Sequence, residues 1–455
     1  MIAILERLNT CLIGVTVPII LMLTGIYFTV YLRGFHLIHP LRCLSLMLRP
    51  RKKEGKCGVS PFRAVTLALA GTLGVGNLVG VAGAIAYGGP GAVFWMLVSA
   101  FLAMLLKYAE IVLALRYRVS TADGGYRGGA MYYIAALFRR LRLPRVGQCL
   151  AAVFAILCVV DSLSMGCIIQ MNAVGSALTG VLPFSRVAIG VVITLLVFAV
   201  TMLGGRRISA LTERLVPLMT LVYLLLSLAV LILRRDALPT AIASVWENAF
   251  RVDSMAYGIG GFLFSRAVRY GTMRGLMSNE AGCGTAPIAH AESDASLPAE
   301  QGIWGIFEVF SDTILLCSLT ALVILVSYDR IGGLGDDGML ITMRAYGAVL
   351  GHFAEVVIAL LVFFFGFATV LCWSHYGTCA LFYLTSSPFL QKGYLFLYAL
   401  SAFYGVLAAP SSVFALSDFA LGVMTLINLA VLIALRREVK EETGRLWGGN
   451  DRGTF

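Results

Sequence analysis

Apolar runs about 20 residues long recur from about Leu8 to about Leu435, and they limit what this chain can fold into more than any other feature. A helix needs roughly that length of mainly apolar residues to cross a bilayer. Of the 455 residues, 59% are hydrophobic and 13% charged, whereas a globular protein carries about a quarter charged. One membrane domain therefore occupies nearly the whole chain. The pattern predicts eleven spans, at about 10–32, 62–88, 91–116, 148–178, 186–204, 213–233, 254–276, 303–327, 347–383, 392–409 and 411–436. The opening MIAILERLNT has no net-positive start, because Glu6 offsets Arg7, and no small-residue cleavage signature follows the run from Leu12 to Tyr31. That run is expected to be a retained helix.

The net charge of +11 is carried by loops between the apolar runs, not by one soluble face, which argues against nucleic acid. Between Arg33 and Arg63 stand eight Lys or Arg against one acid, Glu54. The positive-inside rule puts this loop in the cytoplasm, the N-terminus outside and, with eleven spans, the C-terminus inside. Basic residues from Arg116 to Arg145, in GGRRISALTER and in the tail that begins RREVKEE agree; Arg234 and Arg235 break the pattern. Ten cysteines are scattered without a C-x-x-C pair, so neither a disulfide framework nor a zinc site is expected.

Two spans depart from ordinary lipid-facing helices. The second contains LAGTLGVGNLVGVAG; glycine costs about 1 kcal/mol per residue in helix propensity, so an unwound stretch near Gly71 to Asn77 is expected. The seventh runs IGGFLFSRAVRYGTMRGLMSNEAGCGTAP and carries Arg266, Arg269 and Arg274, which should face protein, water or an interface. Spans two to six and seven to eleven each form a five-helix block that opens with its interrupted helix, the pattern of inverted repeats. The plainer alternative is that the glycines only permit close helix packing, and Gly76 to Gly80 has that spacing.

An interrupted helix offers N–H groups to a carboxylate and freed carbonyls to ammonium or sodium. Thr72, Asn77, Gln170, Ser278, Asn279 and Thr369 stand in or beside the spans concerned. Each has a structural reading too, since such side chains in membrane helices commonly bond to neighbouring backbone. Among ionisable groups, Lys107 and Glu110 are three apart and share a helix side, a spacing that lets them pair with each other near the cytoplasmic end. Glu308 and Asp312 are four apart; a metal or proton-relay role competes with the commoner pairing to loop arginines. Asp161 has no evident partner. The loop after the seventh span concentrates Glu280, His290, Glu292 and Asp294, with an H-x-E that lacks the second His of a metal motif. It reads as an intracellular gate or as a solvated loop.

The stretches LALAGTLGVGNLVGVAGAIAYGGPGAVFWM, LLKYAEIVLALRYR, GGYRGGAMYYI, RGLMSNEAGCGTAPIAHA, LPAEQGIWGIFEVFSDTILLCSLTALVIL and CWSHYG, in this order, resemble the alanine or glycine:cation symporters. The resemblance covers about residues 10 to 436. It implies an all-α polytopic membrane protein of LeuT type: a 5+5 inverted repeat with two broken helices and one extra N-terminal helix. The transporter domain would be 1–440, with the extra helix at 10–32, repeat one at about 62–233 and repeat two at about 254–436, followed by a cytoplasmic tail at 441–455. It implies sodium-coupled symport of alanine or glycine across a bacterial inner membrane.

By the same resemblance, Thr72, Gly76, Asn77, Gln170, Met277, Ser278, Asn279 and Trp373 line the substrate site, Trp373 limiting its size. Backbone carbonyls near Ala70 and Leu73 with the Thr369 hydroxyl form the sodium site. Asp161, Glu280, Glu308 and Asp312 are candidate gating or coupling residues. No organic cofactor and no metal other than sodium is expected. The chain departs from the family pattern in having Ala368 before Thr369, where a second threonine is usual, and in Val75, Ala130, Cys283 and Thr378. The loss at Ala368 leaves proton coupling or exchange as the alternative. A membrane-embedded enzyme would need a nucleophile–base pair or a complete metal constellation, and a channel a continuous polar pore; the sequence displays neither.

Overall fold

The computed structural model describes residues 9, 12–48, 58–121, 124–250, 266–331, 338–408 and 411–447. The chain opens with α1 (Leu12–Tyr31), two short helices α2 (Phe35–Ile38) and α3 (Pro40–Leu48), and α4 (Pro61–Thr72). After a break come α5 (Gly76–Gly88) and α6 (Gly91–Arg116), a small hairpin of β1 (Val119–Ser120) and β2 (Tyr126–Arg127), and α7 (Ala130–Arg140). There follow α8 (Pro144–Val181), α9 (Arg186–Thr201), α10 (Gly205–Leu233), α11 (Leu238–Ala249) and α12 (Arg266–Asn279). The rest comprises α13 (Ala286–His290), α14 (Pro298–Val326), α15 (Tyr328–Ile331), α16 (Gly338–Leu350), α17 (His352–Leu384), α18 (Pro388–Leu407), α19 (Ser411–Ala434) and α20 (Arg436–Trp447).

Among the described residues, seven helices are long and apolar enough to span a membrane, eight if the bent pair α4–α5 is one span. The expected span at 186–204 is a 16-residue helix, and α16, another apolar helix of 10–17 residues, was not anticipated. Residues 254–265 of the expected seventh span lie outside the described residues. Outward faces are apolar where a water-soluble helix would be polar: Leu218, Leu221, Leu225, Leu228 and Ile232 form an exposed stripe at helical spacing along α10. This is the surface of a multi-pass membrane protein.

The inner helices pack around α6 and α17. Helix α6 lies against α12 and α14, and α17 against α8, with α10 bridging α4 and α17. Arg269 and Arg274 meet the expectation for charges on such a helix. Arg269 packs where a side chain on Gly14 of α1 would lie, and Arg274 lies beside Gly80 and Gly83 of α5. At one end, α20 docks on α6 through Arg116, which pairs with Glu438 at 3.2 Å and Glu442 at 2.9 Å, while Arg140 also pairs with Glu438. The eight described cysteines are free.

Candidate functional site

Two interrupted segments organise the site. Helix α4 starts sharply because Pro61 suits its first turn and the Ser60 hydroxyl accepts the Arg63 N–H at 3.2 Å. It stops at Thr72, and after Leu73–Val75 the chain resumes at Gly76 with an axis bent by 51°. The unwinding falls in the glycine-dense stretch where the sequence placed it. The glycines serve two different ends. A Cβ on Gly74 would lie 2.8 Å from Gln170 Oε1 and 2.9 Å from Thr369 Oγ1, so close approach requires glycine there. Gly76 is exposed and faces open space.

A break frees backbone groups that must find partners. The Val75 N–H donates to Gln170 Oε1 at 3.0 Å, so α8 supplies the acceptor that the helix no longer does. The Thr369 hydroxyl of α17 lies 2.8 Å from the Ala70 carbonyl, near the end of α4, and Leu73 is the residue that caps that helix. Ala368 is buried and brings no oxygen. Four residues beyond Thr369, the fully buried Trp373 indole packs on Gly166, where a Cβ would come within 2.4 Å of Trp373 Cβ.

The second interruption follows Asn279. Glu280 takes φ of 50°, and Gly282 and Gly284 take 87° and 80°, which turns the chain into α13. The turn is stitched down: the Gly284 N–H donates to Glu110 Oε1 at 2.9 Å, Asn428 Nδ2 donates to the Gly282 carbonyl at 2.9 Å, and the Thr285 hydroxyl donates to Glu280 Oε2 at 2.7 Å.

The two segments meet at Asp312 of α14. Its carboxylate accepts Asn77 Nδ2 at 2.6 Å on one oxygen and, on the other, the hydroxyls of Ser278 and Thr313, both at 2.7 Å. Ser278 also donates to Asn77 Oδ1 at 3.1 Å, and Asn279 Nδ2 donates to Thr313 Oγ1 at 3.3 Å. Asp312 was expected as a gating or coupling residue; the structure brings it into direct contact with two of the expected substrate residues. Thr313 was not singled out in the sequence. It lies in the π-helical stretch Phe310–Cys317, which only the structure displays, and a second one, Ser164–Ile169, directly precedes Gln170. Such widened turns recur at functional sites because they turn side chains and free carbonyls inward.

The other expected residues are more dispersed. Thr72 bonds back to the Ala68 carbonyl at 3.5 Å, and Met277 is half-buried. Asp161 has a partner after all, the Ser417 hydroxyl at 2.7 Å. Two pairings expected from spacing are corrected. Lys107 bridges not to Glu110 but across to Glu308 at 3.2 Å, because α6 and α14 pack closely through Gly302 and Gly305. Among the described residues Glu308 and Asp312 pair with no loop arginine: Glu308 Oε2 also meets His290 Nε2 at 3.1 Å, and His290 Nδ1 meets Gln301 Nε2 at 2.8 Å. The H-x-E therefore splits, His290 turning to α14 while Glu292 meets His375 of α17 at 2.8 Å. The segment from Glu280 to Asp294 is packed, not solvated: Val59 accepts the Asp294 N–H at 2.8 Å and donates to the Glu292 carbonyl at 2.9 Å.

Chemically, the site combines a hydroxyl and main-chain carbonyls, hard oxygen ligands suited to a small monovalent cation, with amide and carboxylate groups beside exposed backbone at Gly76. Its nearest oxygens to the α4 terminus are uncharged.

A sodium/alanine symporter, AgcS, of Methanococcus maripaludis is 33% identical over 97% of this chain and 96% of its own. A probable sodium/glutamine symporter, GlnT, of Bacillus subtilis is 31% identical over 95% of this chain and 89% of its own. Among solved structures, a mutant of the manganese transporter of Eremococcus coleocola superposes with a TM-score of 0.53 at 14% identity, over 87% of this chain and 89% of that one, which shows a shared fold. The profile of the sodium:alanine symporter family matches residues 1–446, and the chain belongs to that family.

Proposed function

We propose that this protein imports a small neutral amino acid, alanine or glycine, together with sodium by alternating access. The observation that carries the reading is the Thr369 hydroxyl held 2.8 Å from the Ala70 carbonyl at the point where α4 unwinds. A sodium ion inserted there would take that hydroxyl and the carbonyls of Ala70 and Leu73, with no charged side chain needed. The substrate sits beside it, among Thr72, Gly76, Asn77, Gln170, Met277, Ser278, Asn279 and Trp373. Its carboxylate meets the N–H groups at the start of α5 and its ammonium meets freed carbonyls and side-chain oxygens. Alanine or glycine suits the buried Trp373 indole, and the archaeal relative is a sodium/alanine symporter.

In this reading α1 is the extra helix, α4 to α10 form the first five-span repeat and residues 254–436 the second, with the remaining chain as a cytoplasmic tail from 441. The N-terminus lies outside the inner membrane and the C-terminus inside. One bundle rocks against the other around the site, with Asp161, Glu280, Glu308 and Asp312 as the groups that couple or gate it. Each positive charge moved inward gains about 2.3 kcal/mol per 100 mV of membrane potential, which alone supports roughly 50-fold accumulation.

Proton coupling is the second reading, favoured by the carboxylate of Asp312 at the junction of both breaks and by the missing oxygen at Ala368. Uptake of radiolabelled alanine and glycine into proteoliposomes under an inward sodium gradient, against potassium, lithium and proton gradients, separates the two. Sodium-driven accumulation supports the proposal; accumulation driven by protons alone replaces the sodium site with Asp312, Asp161 and Glu308.

A further inference from the structure

We propose that Glu292, His375 and Cys379 form a site for a borderline-soft divalent cation of the zinc type, separate from the residues at the helix breaks. Helix α17 presents His375 and Cys379 one turn apart on one face, and the loop after α13 brings Glu292 onto that face. The carboxylate, imidazole and thiol donor atoms all lie within 4.8 Å of one another. An imidazole, a thiol and a carboxylate together select zinc-like ions over magnesium or calcium, which take oxygen alone.

The geometry is close to what such an ion requires. Tetrahedral coordination at metal–nitrogen and metal–sulfur distances of about 2.05 and 2.3 Å separates the two ligand atoms by about 3.6 Å. His375 Nε2 and Cys379 Sγ are 3.6 Å apart. Glu292 Oε1 is 2.8 Å from the same nitrogen and would open by about half an ångström to reach the corresponding edge.

The hydrogen bonding also favours an ion. Both Glu292 and Cys379 address His375 Nε2, and one ring nitrogen either donates a proton or accepts one. With one proton or one lone pair it makes at most one full hydrogen bond, so the carboxylate and the thiol compete for it. A cation at the point common to the three atoms satisfies all of them, and its two charges neutralise the carboxylate and the thiolate.

The surroundings supply access and support. A cavity of 230 Å³ opens beside the three side chains, enough for an ion to enter and for water to complete the shell. Gly205, at the start of α10, lies so close to the imidazole that a Cβ there would be 2.6 Å from Cε1, so glycine at this position leaves room for the ring. The guanidinium of Arg127, which also lines the cavity, is engaged 4.1 Å over the Phe382 ring. A bound ion would pin the Glu292 loop to α17.

The test uses the full chain in detergent, purified without a polyhistidine tag. Zn2+ is titrated in competition with a chromophoric chelator, and Co2+ is followed by its thiolate-to-metal charge-transfer absorption. One ion per chain is expected, with the charge-transfer band absent in Cys379→Ser and intact in Cys149→Ser, which removes an exposed surface thiol. His375→Gln should weaken Zn2+ binding about 100-fold, at least as much as loss of an outer-shell partner costs. Elution of each variant as the same monodisperse peak as the parent excludes misfolding. Absence of stoichiometric Zn2+ binding by the parent chain, or a charge-transfer band that persists in Cys379→Ser, overturns the site.

Discussion

Asn77 and Asp312 stand 235 positions apart in the chain, yet the Asn77 amide donates to the Asp312 carboxylate at 2.6 Å, and Ser278 bonds to both. One carboxylate thus joins the helix that restarts after the first break to the helix that ends at the second.

Because its oxygens take three donors, Asp312→Ala leaves the amide of Asn77 and two hydroxyls without their acceptor. Uptake in proteoliposomes is expected to fall about 100-fold, on the order of 3 kcal/mol. Thr313→Ala, which removes one of those donors, should cost about tenfold or less. Equal uptake by Asp312→Ala and the parent protein would remove Asp312 from the mechanism.

Thr369→Ala removes the hydroxyl beside the Ala70 carbonyl. The concentration of sodium at half-maximal uptake should rise about tenfold or more, the loss of about 1.4 kcal/mol of ligand interaction, and Thr369→Ser should restore it. Gly74→Ala drives a Cβ against both Gln170 and Thr369 and is expected to abolish uptake. An unchanged sodium dependence in Thr369→Ala would rule out the proposed ligand.

Lys107 and Glu308 form a fully buried ion pair that His290 joins. Removing one partner strands a charge in a dry interior, so Lys107→Met should destabilise the protein by about 3–5 kcal/mol. The double variant Lys107→Met with Glu308→Gln removes both charges and should recover much of that. Thermal unfolding in detergent measures each, and a double variant no more stable than Lys107→Met would show that the pair acts through packing instead of charge.

His36, which follows α1 outside the span, is 5% exposed, and burial pushes its imidazole from the ordinary 6.5 down to about 4. The folded protein therefore keeps it neutral while the unfolded chain binds a proton below 6.5. Its contribution is complete above that pH and declines as pH falls toward 4, by about 3 kcal/mol in all. The difference in melting temperature between the parent chain and His36→Phe should shift in favour of the variant over that window, and a constant difference from pH 7 to pH 4 would exclude His36 as the cause.

The sequence by itself determined the membrane class, most of the span positions and the place of the first break. Each of these depends on local composition: apolar run length decides bilayer crossing, and the density of glycine from Gly71 to Gly80 decides where a helix gives way. The motifs around Asn77, Ser278 and Trp373 carried the family. What tertiary structure alone decided were the partners of the buried charged and polar groups. Helical spacing suggested Lys107 with Glu110, but the close packing of α6 on α14 at Gly302 and Gly305 placed Glu308 nearer. Helical spacing linked Glu308 to Asp312, whereas the π-helical stretch Phe310–Cys317 begins between them, and Asp312 meets the breaks while Glu308 meets Lys107 and His290. The meeting of Glu292 with His375 and Cys379 was likewise beyond the sequence, since it requires the Glu280–Asp294 turn to fold back onto α17. Periodicity reports which face of one helix a residue occupies, and only the packing of several helices reports what that face meets.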